Sequence, residues 1–379
     1  MRLLLIVALF VLPGLAQDVP LRRLGAPAIE VPEPFRAIDD LRVLPSGDVL
    51  VTAARRDDAP RRGQVAQRRL YAVSFPAGSV RAVGEQGRGT AQYGNTGPLL
   101  SGPGDTTWMP DETQARMLVI TPAGEAVGNA PLPPHVIPEK GEANYYLRFL
   151  RTDAAGNFFD QRFSPAPDRP LSYEDSVVLR HRGNRLRPAT DTIAWLYRTI
   201  RRTPSKYLGS VGLPYSLQDQ WAVAPNGDVI IVRAEEYRVD RVSPSGAMSH
   251  GAPLRYERRT VTPRERDEYI AEARASYKRA QMQVPDPGPD LENAQWPAFK
   301  PPFTGEVVLA EDCVWVPITP RTGTDSVVYD VVAFDGTLRE RVAMPPATTV
   351  LGFGRGVMFA VRRAGEFLYL GRWAWPPRE

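Results

Sequence analysis

The 379-residue sequence predicts an all-β fold, a six-bladed β-propeller of four-stranded antiparallel blades with one inserted helix near 262–283. Three observations predict it. A hairpin of two short apolar strands around a glycine turn recurs along the chain, and a second kind of glycine hairpin follows it. The 38 prolines and 31 glycines supply the breaks that so many turns require. Two hairpins in succession make a four-stranded sheet, and repetition at around 40 to 60 residues is the period of a propeller blade.

The elements follow in order. Arg2 and the unbroken apolar run Leu3 to Leu12, broken by Pro13-Gly14 and ending on small residues at Ala16, read as a signal peptide over residues 1–16. The run is too short for the roughly 20 residues that cross a bilayer, and no later stretch is long and apolar enough. A single domain, 17–379, is expected to remain, periplasmic or secreted. The segment Leu21 to Val31 is the strand that closes the ring, because the last unit, Val350 to Gly371, stops one strand short. The first kind of hairpin reads Leu41 to Val51 around Gly47-Asp48, Leu147 to Phe159 around Gly156-Asn157, and Trp221 to Ile231 around Gly227-Asp228. Glycine accepts positive φ, and Asx side chains cap their own backbone, so these are tight reversals. The second kind turns on Gly78, Gly124, Gly183, Gly246 and Gly336. Blades begin near Phe35, Gly89, Asn144, Ser216, Pro302 and Thr348.

One stretch departs from this pattern. Thr262-Pro263-Arg264-Glu265 has the N-cap, first-turn proline and third-position glutamate of a capping box. Tyr269, Ala273 and Tyr277 then form one narrow apolar stripe on a charged helix. Pro285 to Pro289 reads as a stiff irregular linker, so the insertion spans 262–295. It lies on a rim or flank of the propeller, or covers the central opening.

Through its Pro-x-Gly-Asp turns, especially Ala224-Pro-Asn-Gly-Asp-Val and Val242-Ser-Pro-Ser-Gly, the chain resembles secreted bacterial six-bladed propellers of the NHL-repeat and related families. The resemblance implies the fold and a place outside the cytoplasm. It lacks the Asp-Arg positions that end the standard NHL unit.

Catalytic signatures are absent from the sequence. There is no Gly-x-Ser-x-Gly elbow, no Cys-x-x-Cys-His and no His-Glu-x-x-His. His135, His181 and His250 fall in or beside loops and turns and read as solvated. Cys313 is the only cysteine, which excludes an intramolecular disulfide; it reads as a small buried hydrophobe. A net charge of +4 selects no partner. Arginines cluster at Arg55, Arg56, Arg61, Arg62, Arg68 and Arg69, and again from Arg180 to Lys206, as a solvated face or a patch for anionic polysaccharide or membrane head groups. Nucleic acid is not an expected partner of an exported chain.

Propellers bind ligands at the channel mouth, where innermost strands begin. Aligned on Gly47, Gly156 and Gly227, the equivalent positions are Asp39, Arg148 and Asp219, with Asp40 and Gln220 beside them; these five are the candidate ligand-binding residues. The expected function is a non-catalytic binding or interaction propeller for a small molecule, polysaccharide or protein, acting as a monomer without a cofactor. The alternative is a hydrolase of the calcium-dependent lactonase type, since acids from different blades supply the oxygen ligands a hard cation takes.

Overall fold

The computed structural model describes residues 19–58, 67–132, 150–164, 173–182, 189–199, 202–205, 209–279, 286, 288–321, 324 and 326–375. The signal-peptide segment 1–16, His135 and Arg148 lie outside the described residues.

The predicted glycine turns act as the residue chemistry demands. In the first hairpin, Leu44 N–H donates to Asp48 O and Gly47 N–H donates back to Leu44 O; Ala224, Asp228 and Gly227 repeat the pattern. Gly47 and Gly227 sit at φ of 86° and 85°, a left-handed conformation that costs glycine nothing. Each loop is thus a type I turn closed by a left-handed glycine, and it sets the register of the two strands it joins.

The strands form successive antiparallel meanders. β1 (Leu21–Arg23) and β2 (Ile29–Glu30) precede the first, which is β3 (Phe35–Val43), β4 (Val49–Arg55), β5 (Arg69–Ser74) and β6 (Ser79–Ala82). A short parallel pair, β7 (Glu85–Gln86) and β8 (Gln92–Tyr93), leads to the second: β9 (Leu100–Ser101), β10 (Thr107–Asp111), β11 (Arg116–Ile120) and β12 (Ala126–Pro131). The third is β13 (Arg151–Thr152), β14 (Phe158–Ser164), β15 (Tyr173–Arg182) and β16 (Ala189–Thr199), followed by the hairpin β17 (Arg202–Ser205) and β18 (Gly209–Gly212). The fourth is β19 (Gln220–Val223), β20 (Val229–Arg233), β21 (Arg238–Val242) and β22 (Met248–His250). Helices α1 (Pro263–Arg279) and α2 (Gly288–Glu292) intervene before β23 (Val308–Ala310), β24 (Cys313–Pro317), β25 (Ser326–Ala333) and β26 (Leu338–Pro346). The last meander is β27 (Thr348–Gly354), β28 (Val357–Ala364) and β29 (Phe367–Ala374).

The apolar strands do not alternate with polar residues, because both of their faces are buried. Val49 and Val51 pack with Phe359 and Leu370 of the last meander, while Leu50 between them packs with Leu99, Met109 and Leu118 of the second. Phe158 turns back to Trp108, whose ring stacks on it at 5.5 Å; Phe159 turns forward to Trp221 and Ile231. Ile230 and Val232 face Val314 and Val316, and Trp315 faces Val350 and Met358. Each meander thus buries one face against its predecessor and the other against its successor, and the last packs on the first. A fully buried Val, Leu, Ile or Phe contributes about 1.5–3 kcal/mol, so these six apolar seams hold the fold.

The N-terminal segment divides its strands. Ile29 and Glu30 pair with Arg372 and Gly371 of β29, a fourth strand for the last meander. Leu21–Arg23 runs parallel to β26 instead and adds a fifth strand to its sheet.

The helical insertion begins as its sequence dictates. Thr262 N–H and Oγ1 donate to Glu265 Oε2 (both 3.0 Å), and Glu265 N–H donates to Thr262 Oγ1 (3.3 Å). Part of the Pro-rich linker is helical rather than irregular: Asp286 Oδ1 accepts from Gly288 N–H and α2 starts there. The two helices close a small core of Leu213, Ile270 and Leu291 with Tyr269, Ala273 and Trp296 packed against it.

Candidate functional site

The first strands of the meanders lie beside one another: β13 contacts β9 and β19, and β27 contacts β23 and β3. Beside these strands a pocket open to solvent lies between Arg151, Gln161, Gln218, Asp219, Gln220, Trp221, Glu306 and Val307. These residues come from β13, β14, β19 with its approach, and the segment leading into β23.

Of the sequence-predicted residues, Asp219 and Gln220 line this pocket. They differ in what remains for a ligand. Asp219 is buried, and its carboxylate accepts from Arg233 Nη1 (2.8 Å), Ala234 N–H (2.9 Å) and Tyr197 N–H (3.1 Å). Its charge is met by Arg233, which also donates to Asp240 Oδ2 (2.8 Å). Gln220 is half-buried, and among the described residues its carboxamide has no hydrogen-bond partner; the same is true of Gln218. Gln161 is held in place, donating to Ser176 Oγ (2.7 Å) and accepting from Trp221 Nε1 (2.8 Å).

Asp40 stands on β3, within electrostatic reach of both Arg151 and Glu306. Its Oδ2 accepts from Leu99 N–H (2.8 Å) and its Oδ1 from Leu41 N–H (2.8 Å). Burial pushes its carboxyl above the usual range; the Leu99 hydrogen bond and the charge of Arg151 pull the other way. Asp39, its neighbour, points to the opposite face of the strand and is exposed, paired with Arg68 at 2.5 Å. The structure therefore brings Asp219, Gln220 and, through its field, Asp40 to one end of the inner strands, and leaves Asp39 outside.

Arg151, Gln218 and Glu306 are not among the residues that the alignment of hairpins singles out. Glu306 was hidden because its hairpin turns on Glu311-Asp312, with Glu311 at φ of 45° and no glycine to align on. Arg151 was legible in principle: it holds the same place relative to Gly156 as Arg42 holds relative to Gly47. Arg42 itself crosses to the second meander, donating to Ser101 Oγ (2.5 Å) and Thr107 Oγ1 (2.9 Å).

Two expectations are corrected. His181 is not a solvated turn residue: it is buried on β15, with Nε2 3.0 Å from Asp160 Oδ1 and Nδ1 3.2 Å from Thr190 Oγ1. Arg180 is no part of a free basic face. It is buried, donating to Pro244 O (2.7 Å) and paired with Asp191, which also holds Arg182. Arg55, Arg68 and Arg69 are likewise paired, with Glu33, Asp39 and Asp58. Cys313 is buried, its thiol donating to Ala310 O (3.2 Å).

Among its described residues the insertion contributes no pocket-lining side chain, but it packs against both segments that do. Leu213, ahead of Gln218, is in the helical core. Lys300, ahead of Glu306, makes a buried ion pair with Glu265 of the capping box and lies 5.6 Å from the Tyr215 ring centroid.

The fold and site define an all-β protein of the propeller kind with a polar pocket at one end of its inner strands. No family model and no curated protein matches the chain. Among solved structures it is similar to a DUF4221 family member from Bacteroides vulgatus (7% identity, TM-score 0.45, covering 90% of this chain and 94% of that one). It is also similar to virginiamycin B lyase from Staphylococcus aureus (11%, 0.37, 90% and 94%) and to the calcium-binding protein regucalcin from Agrobacterium tumefaciens (12%, 0.37, 95% and 99%). At such identities no site residue carries over. No helix among the described residues is long and apolar enough to cross a membrane.

Proposed function

We propose that the chain is an exported, non-catalytic binding protein: a six-bladed propeller that takes a small polar ligand in the pocket between Arg151, Gln218, Gln220 and Glu306. The observation that carries this reading is the pair of glutamine carboxamides, Gln218 and Gln220, lining a pocket with no hydrogen-bond partner among the described residues. A polar group turned into a concave, partly buried site is what a ligand's polar atoms complete. Six blades are supported by the cyclic succession of apolar seams, with β2 as the fourth strand of the sixth blade. Export is supported by the apolar run Leu3 to Leu12 and the small residues at its end; the mature chain then begins at Gln17.

The lactonase-type alternative needs several carboxylates aimed at one point. Asp219 is spent on Arg233 and two amides, Asp39 on Arg68, and among the described residues no three His, Cys, Asp or Glu side chains are grouped to hold a metal ion. No observation favours it over binding.

A thermal-shift screen of small polar compounds tests the reading. A true ligand at a hundred times its Kd adds about 2.7 kcal/mol of stability. Its effect should fall in Gln220→Leu, which breaks no side-chain hydrogen bond among the described residues. Hits that stabilise Gln220→Leu and Arg151→Leu as much as the wild type would place the ligand elsewhere.

A further inference from the structure

We propose that the pocket takes a neutral saccharide, with sugar hydroxyls on the carboxamides of Gln218 and Gln220 and a C–H face of the sugar ring against Trp221. The inference rests on the small-ligand reading above and names the ligand's chemistry.

The charges that border the pocket are already engaged within the fold. Asp219 is held by Arg233 and two backbone amides. Arg151 donates to Leu150 O (3.0 Å) and lies in the field of Asp40, and Glu306 is engaged as well. The groups still open are neutral. Gln218 and Gln220 stand two residues apart on extended chain, so their side chains project to the same side, about 7 Å apart along the strand. Each carboxamide carries two N–H donors and a carbonyl acceptor, and neither has a partner among the described residues. A hydroxyl is donor and acceptor at once, so neighbouring hydroxyls on one ring meet both ends of a carboxamide.

The apolar part of the wall is fixed in place. Trp221 Nε1 donates to Gln161 Oε1 (2.8 Å), and Gln161 Nε2 donates to Ser176 Oγ (2.7 Å). With its N–H committed there, the indole offers a ligand only its carbon surface, which Ala222 and Val307 extend. A pyranose has both characters, a rim of hydroxyls and faces of C–H groups. Other ligand classes leave something unmet. An ion gives up hydration and finds no free countercharge. An apolar molecule strips water from two carboxamides without replacing their hydrogen bonds, the usual basis on which a polar site rejects the wrong ligand. Because the pocket opens to solvent, the rest of a longer glycan has room outside it.

The experiment is calorimetric titration of the mature protein with glucose, galactose, N-acetylglucosamine and maltotriose, beside two charged sugars, glucuronate and glucosamine, and the dipeptide glycylglycine. At least one neutral sugar should bind, with the same affinity at low and high salt because no charge is matched. It should bind roughly tenfold more tightly than the charged sugars and the dipeptide. Gln218→Leu and Gln220→Leu should each weaken it roughly tenfold, the effect of losing a carboxamide's hydrogen bonds. Gln220→Asn, which keeps the amide and shortens its reach, should lie between wild type and Gln220→Leu and serves if a leucine variant does not fold. If a charged sugar or glycylglycine binds at least as tightly as every neutral sugar, and Gln220→Leu weakens it, the neutral saccharide falls and the pocket reading stands. The same holds if no sugar binds but a compound from the polar screen does so in a Gln220-dependent way. If nothing binds, or what binds is unaffected in both Gln218→Leu and Gln220→Leu, both fall.

Discussion

The first and fourth meanders open with the same hairpin in the same register, yet the acids at their entrances have opposite fates. Asp40 pairs with Thr52 across the first hairpin as Gln220 pairs with Val232 across the fourth, and Asp39 and Asp219 precede them. Asp219 is buried under Arg233 and two backbone amides, whereas Asp39 is exposed beside Arg68. The cause lies across the sheet. Arg233 holds the place relative to Gly227 that Ala53 holds relative to Gly47, so in the fourth meander a cation on the facing strand draws the acid inward, whereas Asp39 pairs with Arg68 just ahead of β5. A turn fixes which residues are opposite one another; the residue opposite then decides whether a carboxylate becomes structure or surface.

The comparison can be broken at several points. The largest effect is expected from Asp219→Ala, which leaves Arg233 with Asp240 as its carboxylate partner and two backbone amides without their acceptor. It should cost roughly 3–5 kcal/mol in chemical denaturation, whereas Asp39→Ala should cost about 0–1 kcal/mol because its ion pair is exposed. Equal losses would mean that the two sites are energetically alike despite their geometry.

Asp240 tests the same cation from its other side. It is fully buried and receives Arg233, Arg238 and His250; although burial draws its carboxyl up, these hydrogen bonds hold it below the ordinary 3.8. A depressed pKa contributes stability that is present above the unfolded value and is lost as pH falls through the folded one. Asp240→Asn should therefore destabilise the protein at neutral pH, by somewhat less than Asp219→Ala, and flatten the loss of stability below about pH 4. An unchanged acid profile would remove Asp240 from the account.

Asp40 has the opposite sign. Its raised pKa means that its contribution is fully present below the unfolded value and declines as pH rises through the folded value. The stability of Asp40→Asn relative to wild type should thus improve as pH rises across the carboxylate range, read from thermal melts. Asp40→Ala should cost about 1–3 kcal/mol, because Leu99 and Leu41 lose their acceptors. The smallest effect is expected at the matching position: Gln220→Leu should change stability by no more than about 0.5 kcal/mol, while weakening ligand binding. A large stability loss there would show that Gln220 serves the fold rather than the pocket.

Much of the fold was legible because its signals are local. The turn at Gly227 is specified by Pro225, Asn226 and Asp228 without help from the rest of the chain, and Thr262 and Glu265 cap their helix within one turn. The site was legible only as positions. Aligning glycines reached Asp219 and Gln220 but passed over Glu306, whose hairpin has no glycine, and Arg151, whose role depends on strands far away in sequence. His181 was misread for the same reason: its sequence neighbours are turn residues, but its partners Asp160 and Thr190 come from strands on either side of β15.

The sequence by itself determined the reversals, the register of each hairpin and the runs of apolar residues, since backbone conformation and side-chain alternation are set over a few residues. Only the tertiary structure decided which face of Val229 to Val232 meets which neighbour, that Asp219 is neutralised while Gln220 has no side-chain partner among the described residues, and that Arg151 and Glu306 line one pocket with them. Burial and electrostatic field depend on atoms brought together across the whole chain, and no local pattern encodes them.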